Sequence, residues 1–140
     1  MGLAGNIGHS LALQVAETPH STYVIELSSF QLDNMYRFRA DIAVLLNIDA
    51  DHLDYFGTVE NIIKSFHKFA QLTSKAVIYN GSDANTCKAM EGIEGKERIT
   101  FGKTADCDYY PMDIRHVSGL ETHFQLMHHA HRWDHRLPIG

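Results

Sequence analysis

Apolar residues along this chain fall into short runs divided by polar and glycine-containing stretches. Residues 22–27 (Thr-Tyr-Val-Ile-Glu-Leu) read as a buried strand, because β-branched and aromatic residues run together, with Glu26 interrupting the run near its C-terminal end. Residues 41–48 (Asp-Ile-Ala-Val-Leu-Leu-Asn-Ile) form the clearest strand. Their continuous apolar character predicts burial on both faces, as in a parallel sheet. A loop follows over residues 49–57. Thr58 then N-caps a predicted helix whose apolar positions Val59, Ile62, Ile63, Phe66, Phe69 and Ala70 recur at helical spacing.

The order then repeats. Residues 75–79 read as a strand, ended by the turn Asn80-Gly81-Ser82-Asp83. A helix is predicted over 83–90 and a strand over 98–101. Upstream, Gly5-Asn6-Ile7-Gly8 is a tight glycine-bracketed turn, residues 9–17 can be helical, and 31–38 read as a short helix. Alternation of strand and helix predicts an α/β protein with a parallel, doubly wound sheet. The character changes near Asp106. Residues 109–117, 122–128 and 132–137 are strand-like pieces joined by short polar segments, including Ser118-Gly119, so they are expected to pair antiparallel. The expected organisation is therefore 1–105 as the α/β part and 106–140 as a small antiparallel sheet of the same domain. Leu137-Pro138-Ile139-Gly140 reads as the start of a linker.

Composition narrows the function classes. With 140 residues, 44% hydrophobic and 21% charged, the chain can build a core of its own. Its net charge of −5 gives no basic face for nucleic acid or an anionic membrane. No apolar run approaches the ~20 residues of a membrane helix, and no secretory signal opens the chain. Cys87 and Cys107 lack CxxC spacing and read as free thiols of a reducing, cytoplasmic compartment.

In parallel sheets, ligands bind beyond the C-terminal ends of strands. Two predicted strands end in polar clusters, Glu26-Leu27-Ser28-Ser29-Phe30-Gln31 and Asn47-Ile48-Asp49-Ala50-Asp51-His52-Leu53-Asp54. A carboxylate, hydroxyls and an amide beside acidic groups and a histidine could form an oxygen-rich site of the type that suits Mg²⁺, with His52 adding nitrogen. Each residue also has an ordinary structural reading. Glu26 could pair with a lysine or cap a helix, Ser28 and Ser29 could be helix caps, and Asp51 and Asp54 could be solvated loop charges with His52 a satisfied hydrogen-bonder. His123, His128, His129, His131 and His135 crowd the C-terminal part. His129, His131, Trp133 and His135 would share one strand face, read as the polar face of an exposed sheet in preference to a metal site.

Gly5-Asn6-Ile7-Gly8, Glu26-Leu-Ser-Ser-Phe-Gln-Leu32 and Asn47-Ile-Asp-Ala-Asp-His52-Leu-Asp54, in that order and spacing, resemble the central domain of the Mur ligases. The Ser-Ser-Phe-Gln-Leu string points to the D-glutamate-adding branch. The resemblance implies ATP-dependent amide ligation in peptidoglycan synthesis: D-glutamate is joined to UDP-N-acetylmuramoyl-L-alanine through an acyl phosphate, with Mg²⁺ as cofactor. It implies that Glu26 and His52 are catalytic and each ligates a Mg²⁺. Asn6, Ser28 and Gln31 would contact the UDP-muramoyl substrate, while Asp51 and Asp54 would orient His52 or its loop. Phe30 and Leu32 would pack.

Other features depart from the family pattern. No Gly-x-x-Gly-Lys-[Ser/Thr] phosphate loop is present. The resemblance places that loop and a UDP-holding domain upstream of Gly5, and a C-terminal domain after Gly140. The expectation is a central-domain fragment, inactive alone and prone to self-association through exposed sheet edges. Where several family members carry a carbamylated lysine, the register gives Phe66. The chain is thus expected to dispense with the carbamate, leaving Lys64 and Lys68 as surface charges. Another Mur-type ligase domain, a folate-type glutamyl ligase, a non-catalytic α/β binding module and a histidine-rich metal-binding domain are the competing readings.

Overall fold

A computed structural model of the chain describes residues 1–117 and 121–138. The predicted Ser118-Gly119 turn and the last two linker positions lie outside the described residues. Two compact units are formed, Met1–Arg37 and Phe38–Gly140.

In the first unit, β1 (Gly2–Gly5) and β2 (Tyr23–Glu26) pair in parallel, with Gly2 opposite Tyr23 and Gly5 opposite Glu26. The crossover between them carries α1 (Leu11–Glu17), whose first turn is capped by Ser10 Oγ accepting from the Leu13 N–H at 3.3 Å. Gln14 Nε2 donates to the Leu3 carbonyl at 2.5 Å and ties α1 to β1. β2 is not the buried strand its composition suggests. Tyr23 and Ile25 are half-buried, whereas Val24 and Glu26 are exposed. The cause is supply: α1 contributes no buried residue, so the unit lacks apolar surface to cover both faces of a two-stranded sheet. α2 (Ser29–Asp33) starts earlier and ends sooner than the predicted 31–38 helix, because Ser28 and Gln31 set its beginning through a capping-box pair. Only Leu32 of that helix is buried.

The second unit holds a six-stranded sheet in the order β3-β4-β5-β6-β7-β8. β3 (Ile42–Leu45), β4 (Ala76–Asn80) and β5 (Glu97–Phe101) are parallel, with Ile42 opposite Ala76 and Ala76 opposite Glu97. The first crossover holds α3 (Leu53–Phe56) and α4 (Val59–Leu72), and the second holds α5 (Ala84–Ala89). α4 packs on β3, α5 on β4, and the two helices on each other. Both therefore cover the same side, which corrects the reading of β3 as buried on both faces. Ala43 and Leu45 are 1% exposed, but Ile42 and Val44 are 56% and 53% exposed.

Thr58 caps α4 as predicted, accepting from Asn61 N–H at 3.3 Å. Ile62, Phe69 and Ala70 are buried, and Val59, Ile63 and Phe66 are half-buried. Lys64 is exposed, while Lys68 is half-buried. At the other end of α4, Lys96 Nζ donates to the carbonyls of Ala70, Gln71 and Thr73 at 2.7, 2.8 and 2.6 Å. A cation there meets carbonyls at the helix end and the negative end of the helix dipole.

β5 passes to β6 (Tyr109–Val117) through one parallel pair, Phe101 with Tyr109. From there β6, β7 (Glu121–His128) and β8 (His131–Pro138) run antiparallel, as the C-terminal pattern predicted. Their rings stack across strands: Tyr109 on His128 at 4.2 Å between centroids, and Phe124 on His135 at 5.5 Å. His131 and Trp133 stack along β8 at 6.2 Å. His129 does not join that face, because it lies in the turn with φ 52°. Among the described residues, no helix is long and apolar enough to cross a membrane.

Candidate functional site

Two strand-end clusters carry the predicted site residues, one in each unit. In the first unit, the glycine turn brings Asn6 against Glu26. Gly5 donates to the His9 carbonyl at 2.8 Å, and Gly8 donates to that of Gly5 at 3.1 Å. Gly5 has φ +101°, and a β-carbon there would stand 2.1 Å from the Glu26 carbonyl oxygen, so only glycine permits this approach. Asn6 then makes two bonds to the same residue. Its backbone N–H donates to the Glu26 carbonyl at 2.8 Å, and its Nδ2 donates to Glu26 Oε1 at 3.2 Å. Glu26, the last residue of β2, is exposed, and its carboxylate is turned towards the Asn6 amide.

Just beyond β2, Gln31 Oε1 accepts from the Ser28 N–H at 2.9 Å and from Ser28 Oγ at 3.2 Å. Ser28 and Gln31 are thus engaged with each other at the start of α2, as the helix-cap reading anticipated. Their remaining polar atoms, the Gln31 amide NH₂ in particular, are the ones that can face a ligand.

In the second unit, β3 leads into the loop that carries His52. Asn47 Nδ2 donates to Asp49 Oδ2 across Ile48. His52 adopts φ 54°, ψ 38°, a left-handed conformation uncommon for a residue with a β-carbon. Asp51 supports it twice: Oδ1 accepts from the His52 N–H at 2.8 Å, and Oδ2 lies 3.4 Å from His52 Nε2. The His52 side chain is 44% exposed. Its carbonyl accepts from the N–H groups of Tyr55 and Phe56 at 3.0 and 3.1 Å, opening α3, with Asp54 in that first turn.

The sequence marks Asp83 as a turn residue and gives Asn85 and Asn61 no role. All three hold the ends of this loop. Asp83 Oδ1 accepts from the Ile48 N–H at 3.3 Å and from Thr86 at 2.8 Å, and Asn85 Nδ2 donates to the Ile48 carbonyl at 2.8 Å. Asn61 Nδ2 donates to the Phe56 carbonyl at 2.8 Å. Ile48 and Phe56 are buried, and an unpaired peptide group there would cost about 1–3 kcal/mol. The signal is legible only in part, since Asn80-Gly-Ser-Asp83 announces a turn but not the peptide that Asp83 reaches.

Mg²⁺ takes oxygen ligands, keeps several waters, and is commonly held by one or two carboxylates together with substrate phosphates. Glu26, exposed at a strand end and braced through one carboxylate oxygen, fits that chemistry. His52 offers an imidazole beside the Asp51 carboxylate, a donor set that a cation completed by water and phosphate oxygens could use. Among the described residues, no three His, Cys, Asp or Glu side chains gather closely enough to hold a metal ion by themselves. The described histidines of β7 and β8 form no such group either.

A parallel sheet continued by an antiparallel meander, with paired polar residues at strand ends, makes this an α/β chain. Residues 3–139 match the Mur ligase middle domain, and the chain belongs to that family. The UDP-N-acetylmuramoylalanine–D-glutamate ligase of Bacteroides fragilis is 67% identical over 72 residues, a stretch covering 51% of this chain and 16% of that protein. Its namesake from Porphyromonas gingivalis is 71% identical over 56 residues, covering 40% and 12%. The chain thus matches only a small part of these relatives. Among solved structures, the MurF ligase of Thermotoga maritima, determined in complex with ADP, superposes over 98% of this chain and 34% of its own, with a TM-score of 0.73 at 18% identity. That likeness shows the fold.

Proposed function

We propose that this chain is the central-domain portion of an ATP-dependent ligase that adds D-glutamate to UDP-N-acetylmuramoyl-L-alanine in the cytoplasm, during peptidoglycan synthesis. The carrying observation is the Asn6–Glu26 pair at the end of β2, in a chain 67% identical over 72 residues to a D-glutamate ligase. Residues 1–105 serve as the α/β part of the domain and 106–140 as its antiparallel sheet.

The reaction needs a carboxylate to become an electrophile. Transfer of a phosphoryl group from ATP gives an acyl phosphate, and the D-glutamate amine then attacks the carbonyl and expels phosphate. Mg²⁺, when bound, supplies charge neutralisation for the phosphoryl oxygens. Glu26 would hold one Mg²⁺ near the ATP phosphates, and His52 would hold a second near the acyl phosphate. The Asn6 amide keeps the Glu26 carboxylate aimed, and Asp51 keeps the His52 ring in place. Asn6, Ser28 and Gln31 contact the UDP-muramoyl substrate. Phe66, half-buried on α4, leaves no lysine at the position used for a carbamate.

Glu26→Gln in a full-length ligase carrying this segment removes a negative ligand while keeping shape. The expected outcome is a fall in Mg²⁺-dependent ligation by orders of magnitude, measured as ADP release with UDP-muramoyl-alanine and D-glutamate. A wild-type rate would remove Glu26 from the site. The 140-residue chain alone is expected to give no ligation, since it contains no phosphate loop.

A further inference from the structure

The loop that carries His52 runs between two fixed peptide groups. At its start, both polar atoms of the Ile48 backbone are taken by side chains from the beginning of α5: Asp83 accepts from its N–H, and Asn85 donates to its carbonyl. The same Asp83 oxygen caps α5 through Thr86, whose side chain is fully buried, so this anchor belongs to the core. At the far end, Asn61 from α4 holds the carbonyl of buried Phe56. Between these anchors, His52 keeps its left-handed backbone. Such conformations persist where the surroundings over-determine them.

We infer that Asp83 and Asn85 are positioning residues for His52, acting through the Ile48 peptide and not by touching substrate. The inference rests on the proposed role of His52 in the ligase site. Freed from α5, the loop would keep its sequence and lose the fixed origin from which Asp51 and His52 are aimed.

The test uses a full-length ligase carrying this segment, with the histidines ¹³C-labelled. Asn85→Asp is isosteric but sets a carboxylate oxygen against the Ile48 carbonyl, whereas Asp83→Asn keeps an acceptor oxygen for the Ile48 N–H. Asn85→Asp is expected to move or broaden the His52 Cε1–H resonance without nucleotide present, and to speed exchange of the Ile48 amide. It should also raise the Mg²⁺ concentration for half-maximal activity roughly tenfold, as loss of supporting contacts around a metal ligand does. Asp83→Asn should leave all three near wild type. Should Asn85→Asp fail to accumulate, Asn85→Ala removes the donor without adding charge and is read the same way. Faster Ile48 exchange with an unchanged His52 resonance and Mg²⁺ requirement would overturn the inference. His52→Ala separates the two readings. If it keeps the wild-type Mg²⁺ requirement, the site assignment fails. If it loses activity while Asn85→Asp behaves as wild type, only the positioning role fails.

Discussion

The two units hold their candidate residues by different means. In Met1–Arg37, the Asn6–Glu26 and Ser28–Gln31 bonds lie at the surface, and of the first unit's apolar residues only Ala4 and Leu32 are buried. In Phe38–Gly140, the His52 loop is itself exposed, but its ends are tied to peptide groups inside a core that includes Leu45, Ile48, Ile62, Val77 and Ile93. One site is shaped by local chain geometry, a glycine turn and a capping pair. The other is shaped by tertiary packing. A local device survives loss of its surroundings, while an anchored one fails when the core loosens.

Core truncation should separate the units most strongly. Leu45→Ala is expected to cost the second unit about 2–5 kcal/mol, because it opens a cavity beneath β3. Val24→Ala in half-exposed β2 should cost about 1 kcal/mol or less. Hydrogen exchange read residue by residue, with urea as denaturant, would check this. Equal losses for the two variants would erase the contrast. Helix termini give a smaller effect. Lys96→Met removes three carbonyl contacts at the end of α4 and should lower stability by about 1–2 kcal/mol. Ser28→Ala, at the surface of the first unit, should cost about 1 kcal/mol and be confined to α2. Chemical denaturation followed by circular dichroism measures both.

The smallest expected effect is a pH dependence. Asp108 Oδ2 accepts from the Thr100 N–H and hydroxyl, both at 2.7 Å, and these bonds hold its carboxyl below the ordinary carboxylate range. A depressed folded pKa gives stability that is complete above the unfolded-state value and is lost as pH falls through the folded one. Stability of the second unit should therefore decline on the acid side of the carboxylate range, and Asp108→Asn should flatten that part of the profile. A variant as acid-sensitive as the wild type would show that Asp108 contributes nothing to it.

Much of this was legible in the sequence, and the gaps have physical causes. The α4 stripe, the Thr58 cap and the three C-terminal strands follow from periodicity and cap chemistry acting over a few residues. β1 escaped notice because Gly-Leu-Ala-Gly has neither length nor apolar run, and it is a strand only because β2 lies beside it. α3 hid inside a polar loop, since its four residues need the His52 carbonyl to start. β2 and β3 are less buried than their apolar runs predict, because such a run records what a strand can bury and not what covers it. The chemistry-bearing residues could be named from their motifs. Asp83, Asn85 and Asn61 could not, because their partners are peptide groups, which leave no mark in side-chain identity.

The passage from β5 to β6 has a consequence for how the chain acquires its shape. Among the described residues, Phe101 and Tyr109 form the single pair that joins the parallel strands to the meander. Within the meander, partners are close in sequence, down to His128 opposite His131, whereas Ile42 must find Ala76 across two helices. Near-neighbour pairings close quickly, on the order of microseconds for a hairpin, and distant ones wait on loop closure. The meander strands are therefore expected to order before the parallel ones, offering Tyr109 as a ready edge on which β5, then β4 and β3, can assemble.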